Sequence, residues 1–277
     1  MFKYSPAEKP NKLVAVVVPL SNRTTFTEDE KISLKHLLHF LPEYDKYFIA
    51  PEGLGVKVQG VDNKYFNAKF FGSLSAHNRL LLSEIFYQTF SDYRFILNYH
   101  LDSLVFSDQL TEWCEKDYDF IGPPWIEHED APYSDYPIYN GKVGNGGFSL
   151  RKIESFLKVL NSRKRYMDAS ALRALYSAEP WYARFLKFPK KYMRYFPHFN
   201  NVKFEIAKFR DNEEAFWSNR AQHYYPAFKI PSVETALQFG FECVPEYCFK
   251  VNNRTLPFGC HAWPKYDRVF WEKYILK

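Results

Sequence analysis

With 277 residues, 46% of them hydrophobic and 25% charged, the chain has the balance of a globular protein and the length for one large α/β domain or two small ones. A formal net charge of +5 is too small to imply nucleic acid by itself, and no helix-turn-helix, zinc-finger or RNP signature is present. Aromatic residues, at 19%, are in excess, which fits either a bulky core or faces that are apolar and hydrogen-bonding at once, as sugar-binding surfaces are. The opening MFKYSPAEKPNK has no apolar signal region, VAVVVPL is too short to span a bilayer, and the four cysteines lack CxxC pairing. A soluble cytosolic protein with buried thiols is therefore expected.

Leu13 to Leu20 (LVAVVVPL) is an almost unbroken valine-rich run, the pattern of a buried parallel strand, ended by Pro19. The period then changes. Ile32, Leu34, Leu37, Leu38 and Leu41 form a helical stripe, Thr27 and Glu30 stand at capping-box spacing, and Pro42 stops the helix. Tyr47 to Ala50 gives a second strand. Leu80, Leu81, Ile85, Phe86 and Phe90 predict one helix over 75–90, followed by a strand from Phe95 to Tyr99 that emerges into His100-Leu101-Asp102. DYDFIGPPW reads as another strand, and two strand-helix-strand units in succession imply a mostly parallel sheet covered by helices. The polar stretch 126–147, rich in Pro, Gly and Tyr, is too long for a routine connection, which marks it for function. Helices are expected near 152–161, 212–220 and 232–239.

Several residues could carry chemistry. Asp102 directly follows a strand, where open α/β sheets collect ligands and metals, although a turn cap explains it as well. His100 shares that site if the strand has ended. Gly144, Gly146 and Gly147 around Asn145 form either a tight turn or a wall of bare main chain for a sugar or pyrophosphate; the segment is neither a Walker A loop nor GxGxxG. In DNEEAFWS (211–218), acid at a helix start is favoured by the helix dipole. The alternative is that Glu213 or Glu214 is a general base, with Phe216 and Trp217 packed or stacked beside the sugar. His261, in PFGCHAWPKY, is a further metal ligand if it meets Asp102, whereas Cys260 lacks the surroundings of a thiol nucleophile. Arg23 and Arg79 are candidates for phosphate contacts, with surface salt bridges the alternative for each. The Lys/Arg-aromatic stretch 181–195 is either an ordinary solvated helix face or a surface for an anionic membrane or substrate.

NYHLDSLVF, DYDFIGPPW, VGNGGFSLR, NEEAFWS and FGCHAW, in that order, closely resemble the bacterial DUF5672 family of glycosyltransferase-like proteins, over roughly residues 45 to 265. The resemblance implies a GT-A-like nucleotide-diphospho-sugar transferase fold, α/β with a mostly parallel central sheet flanked by helices. It implies one domain over 1–277, with a nucleotide-binding half over about 10–125 and an acceptor-binding elaboration over about 126–277. The implied activity is that of a hexosyltransferase in surface polysaccharide synthesis, moving a sugar from a nucleotide-sugar, a UDP-sugar by preference, to a glycan or lipid-linked glycan. A more distant similarity is to inverting galactosyltransferases that hold Mn²⁺ or Mg²⁺ with an Asp-x-Asp motif and a C-terminal His. By that similarity Asp102 and His261 are metal ligands, joined by His100 where the first aspartate of the motif is missing. Asn145, Gly146 and Gly147 border the sugar, and Glu214, or else Glu213, is the base. Pro19, Arg23 and Arg79 are assigned to the donor side and Trp217 to the acceptor. The protein is placed in the cytoplasm, with peripheral attachment to the inner membrane face as an option, and nucleic acid is not expected as a partner. The alternative function is a non-catalytic carbohydrate-binding protein. A nucleotide-dependent oxidoreductase is disfavoured because no dinucleotide fingerprint follows LVAVVVPL.

Overall fold

The computed structural model describes residues 10–20, 22–126, 143–186 and 188–276. In chain order, β1 (Lys12–Pro19) leads through α1 (Glu28–Phe40) to β2 (Asp45–Pro51) and β3 (Asp62–Phe66), and α2 (Leu74–Leu81) and α3 (Glu84–Thr89) return the chain to β4 (Tyr93–Tyr99). β5 (Leu104–Val105), α4 (Leu110–Glu115), β6 (Phe120–Ile121), β7 (Phe148–Lys152) and α5 (Ile153–Leu160) follow. A helical stretch comes next: α6 (Ala169–Ser177), α7 (Trp181–Leu186), α8 (Phe188–Met193), α9 (Val202–Lys208) and α10 (Glu213–Tyr224). The chain closes with α11 (Val233–Phe239), β8 (Gly240–Phe241), α12 (Pro245–Val251), β9 (Gly259–Cys260) and α13 (Arg268–Glu272).

The main sheet has the order β3-β2-β1-β4-β7-β6. β1 is parallel to both β2 and β4, β3 is parallel to β2, and β7 alone runs against its neighbours. This is the expected α/β architecture, a mostly parallel sheet flanked by helices. The valine run explains why β1 lies at the centre. Its side chains alternate between two cores, with Val14, Val16 and Val18 in one beside Leu37 and Trp113, and Ala15 and Val17 in the other beside Phe86 and Trp217. α1 starts as the sequence predicts. The Thr27 hydroxyl accepts from the Glu30 amide at 3.3 Å, and Glu30 Oε2 accepts from the Thr27 amide at 2.7 Å.

One expectation is corrected. The single helix over 75–90 is two helices, α2 and α3, broken at Leu82 and Ser83. There the Ser83 hydroxyl donates to the Leu80 carbonyl at 2.6 Å and the Tyr87 hydroxyl donates to the Leu81 carbonyl at 2.8 Å, taking acceptors that a continuous helix would use. FSLRK, to which the sequence pattern assigns no element, is strand β7, paired with β4 from Phe95↔Lys152 to Tyr99↔Phe148. Of the long stretch 126–147, residues 127–142 lie outside the described residues.

The chain leaves β1 toward β2 and β3 on one side and returns to β4 on the other. The loops after Pro19 and Tyr99 therefore diverge, which is the topological switch point where open α/β sheets form a crevice. Beside it lies a small second sheet, β5-β9-β8, with β5 antiparallel and β8 parallel to β9. A third core that includes Phe241, Trp263, Phe270 and Trp271 packs this sheet in place.

Candidate active site

The small sheet brings three distant residues together. Pairing of Leu104 with Cys260 puts Asp102, just before β5, against the exit of β9, where the chain continues into His261. The Trp263 amide donates to the Asp102 carbonyl at 3.0 Å and extends that ladder. Pairing of Phe241 with Cys260 in the parallel sense places Glu242 next to His261, and the His261 amide donates to the Phe241 carbonyl at 2.9 Å. His100 is fixed from the main sheet, its amide donating to the Gly147 carbonyl at 2.8 Å.

His100, Asp102 and His261 form a group whose ligand atoms all lie within 4.8 Å of one another. His100 Nε2 and Asp102 Oδ1 are buried and have no hydrogen-bond partner. His261 Nε2 stands 3.3 Å from Asp102 Oδ1, an electrostatic contact without hydrogen-bond geometry. On its other nitrogen, His261 Nδ1 meets Glu242 Oε1 at 2.9 Å, the carboxylate–imidazole pairing that orients a metal-binding histidine. Two buried atoms without hydrogen-bond partners, one of them a carboxylate oxygen, with the Glu242 carboxylate behind His261, fit a divalent cation, so these three residues could hold a metal ion.

The electrostatics describe the metal-free cluster, in which His261 carries a proton that a cation would have to displace. Burial opposes charge on His261, but its contacts with Asp102 and Glu242 override it and push its pKa up to about 10. Burial also opposes charge on Asp102, and the neighbouring histidines overcome it, holding the carboxyl at about 2. His100 is pulled down to about 3 by burial and by the neighbouring His77 and His261, so its imidazole is neutral. His77 packs edge-on against His100, ring centroids 5.4 Å apart, and is held at about 4 by burial.

The glycines of VGNGG answer to this cluster. A Cβ on Gly147 would come within 2.0 Å of His261 Nε2, and one on Gly146 within 2.6 Å of Glu213 Oε1 and 3.2 Å of Glu214 Oε2. Gly144 has φ of +116° and would also meet the Phe120 ring. The space that the missing Cβ atoms leave at Gly146 and Gly147 is thus filled by protein side chains, not left open for a sugar. The Asn145 side-chain oxygen accepts from the Gly147 amide at 2.9 Å, and the Gly146 carbonyl accepts from Asn98, Ser149 and Arg151. This turn is a spacer, with His261 on one side and the start of α10 on the other.

At that helix start the two glutamates differ. Both oxygens of Glu213 are taken by Arg151, at 2.6 and 3.1 Å, in a pair that is 2% and 0% exposed. Glu213 is therefore fully committed and is not available as a base. Glu214 is only partly buried, and burial together with the charge of Glu213 raises its pKa to about 7.

A cavity of about 680 Å³ opens at the switch point. Pro19, Arg23, His77, His100 and Asp102 are among its lining residues. Arg23 pairs there with Glu30. Arg79 does not line it; its side chain is exposed and donates to Ser75 Oγ at 3.2 Å and the Lys69 carbonyl at 3.5 Å. Trp217 is corrected outright. It is fully buried, 4.1 Å from Phe156 between ring centroids, and has no face for a sugar. Sequence reasoning missed Glu242, His77 and Arg151, because nothing local marks a residue whose partner lies across a sheet. All four cysteines are free and buried, Cys260 included.

The model of a family described as "Protein of unknown function (DUF5672)" matches residues 60–261. No curated protein matches the chain. Among solved structures, the glycosyltransferase GlyE of Streptococcus pneumoniae TIGR4 is similar at 13% identity and a TM-score of 0.45, over 96% of this chain and 61% of that one. This chain therefore spans about three fifths of GlyE. The galactosyltransferase LgtC, solved with donor and acceptor sugar analogs, is similar at 11% identity and a TM-score of 0.45, over 89% of this chain and 86% of that one. Mouse xyloside xylosyltransferase 1 is similar at 12% identity and a TM-score of 0.46, over 90% and 97%. Likeness at this level says nothing of activity.

Proposed function

The chain belongs to the DUF5672 family, and we propose that it is a metal-dependent glycosyltransferase using a nucleotide-sugar donor. One observation carries this reading. Two buried atoms without a hydrogen-bond partner, His100 Nε2 and Asp102 Oδ1, converge with His261 at the rim of a cavity formed where the strand order reverses. In this reading His100, Asp102 and His261 hold the ion, and Glu242 keeps His261 Nε2 turned toward it. A mixed nitrogen and oxygen donor set suits manganese better than magnesium. The ion would supply charge stabilisation to a departing nucleoside diphosphate.

The remaining roles belong to the chain's own groups. The crevice between Pro19 and His77 takes the nucleotide, with Arg23 beside its phosphates, and a UDP-sugar is the preferred donor. Glu214 receives the proton of an acceptor hydroxyl while that oxygen bonds to the anomeric carbon and the bond to the diphosphate oxygen breaks. A carboxyl near pH 7 is matched to this step, and a single dedicated base fits inversion. Glu213 and Arg151 set the position of that base at the head of α10. The acceptor is a glycan or lipid-linked glycan of surface polysaccharide synthesis, carried by the half of the chain beyond about residue 126. A cytoplasmic location is part of the same reading. A carbohydrate-binding module without catalysis would have no stacking platform at Phe216 and Trp217, which are buried, and would leave the convergence of His100, Asp102 and His261 without a use.

The test is turnover. The protein is incubated with a panel of nucleotide-sugars, Mn²⁺ and mixed saccharide acceptors, and release of nucleoside diphosphate is followed. Release from one donor, lost on chelation and in Asp102→Asn, is expected. Absence of release from every donor, together with saccharide binding by the same sample, would establish the binding module instead.

A further inference from the structure

Fifteen large apolar side chains are substantially exposed among the described residues, and nine of them fall between Trp181 and Phe199, which makes this one patch rather than scatter. Trp181 and Phe185 are each 80% exposed, Leu186 77% and Phe188 62%. On α7, Trp181 with Phe185 and Tyr182 with Leu186 stand four residues apart and so share one side of the helix. On α8 the Phe188 and Tyr192 rings lie 5.9 Å apart at the same spacing. The segment is anchored from behind. Lys191 is buried and sits 2.6 Å from Glu179, and Arg194 donates to the Tyr176 hydroxyl of α6 at 3.2 Å.

Charge selects the occupant. Between Glu179 and Glu205 the sequence contains six Lys and Arg residues and no acidic one, and of the six Lys191 pairs with Glu179 and Lys203 with Glu84. Aromatic and aliphatic side chains facing out of short helices, interleaved with cations, match the interface of an anionic bilayer, where rings sit at headgroup depth and the basic residues meet lipid phosphates. A second copy fits poorly, because a two-fold pairing would set two acid-free basic segments face to face. We infer that the face formed by α7, α8 and the residues up to Phe199 is a peripheral docking surface for an anionic membrane. The inference is independent of the reaction the site performs.

The experiment uses the full chain and vesicles of phosphatidylcholine, with and without phosphatidylglycerol. Co-sedimentation with the anionic vesicles, weakening as salt is added, is expected, with a blue shift of tryptophan emission from Trp181. A Trp181→Ser, Phe185→Ser, Leu186→Ser triple variant should lose at least about tenfold in partitioning. Replacing Arg184, Lys187 and Lys190 by Gln should cost about fivefold per residue at low salt. Circular dichroism and a thermal midpoint confirm that the variants fold. Wild type that ignores anionic vesicles at low salt overturns the inference without any variant. So does a stable dimer that the triple variant dissociates, since a second copy would then cover the face.

Discussion

Replacing Glu214 by Gln keeps the shape of the side chain and removes its charge, and the two consequences have opposite signs. In the folded protein, burial and the neighbouring Glu213 raise the Glu214 carboxyl from the ordinary value of 4.5 to about 7. The unfolded chain releases that proton near 4.5, so between these values unfolding releases a proton and rising pH favours the unfolded state. The destabilisation is absent below the unfolded value and complete above about pH 7. At about 1.4 kcal/mol per pH unit it reaches roughly 3 kcal/mol. Urea unfolding of wild type and Glu214→Gln at pH 4.5 and pH 8 is the assay. The variant should gain on wild type by about 3 kcal/mol between the two conditions, while transferase turnover falls by about 10²- to 10⁴-fold. In wild type, kcat/KM should rise with pH to a plateau above about 7, because the base is active only when deprotonated. A stability difference that stays constant between the two pH values would refute the reasoning, since Glu214 would then titrate as an ordinary surface carboxyl.

The other predictions probe what surrounds that group. Glu213→Ala strands the buried Arg151 guanidinium and should cost about 3–5 kcal/mol in urea unfolding, the reverse of its neighbour; a loss under about 1 kcal/mol would mean that Arg151 finds water or another partner. Gly147→Ala drives a methyl into His261 Nε2 and should abolish Mn²⁺ binding in calorimetry while circular dichroism stays native. Retained affinity would show that the imidazole is not held where the cluster needs it. Glu242→Gln should weaken Mn²⁺ binding about 10- to 100-fold, and an unchanged affinity would remove Glu242 from the orientation of His261.

Much of the scaffold is legible in the sequence because it is local. The valine run specifies a strand buried on both faces, the Thr27 and Glu30 pair specifies the start of α1, and both are found. β5, β8 and β9 are two residues each and carry no periodicity, so the sheet that gathers Asp102, Glu242 and His261 leaves no local trace. The proximity of Asp102 and His261 was reachable only through family resemblance. Glu242 was not reachable at all, since its role is set by a strand register. The glycine turn stays ambiguous in sequence for a related reason: absence of a Cβ signals close approach, but not whether a ligand or a side chain approaches. Trp217 lies on the buried side of α10 with Glu213, Phe216 and Ala221, a side that mixes acid and aromatic residues and so is not marked in the sequence.

The central claim is that His100, Asp102 and His261 hold a divalent cation that organises a nucleoside diphosphate in the adjoining cavity. Calorimetric titration of UDP into the protein, with and without Mn²⁺, on wild type and Asp102→Ala, tests it most directly. The account predicts binding that requires Mn²⁺ and is lost in the variant. UDP binding of equal strength with and without Mn²⁺, unaffected by Asp102→Ala, would contradict it.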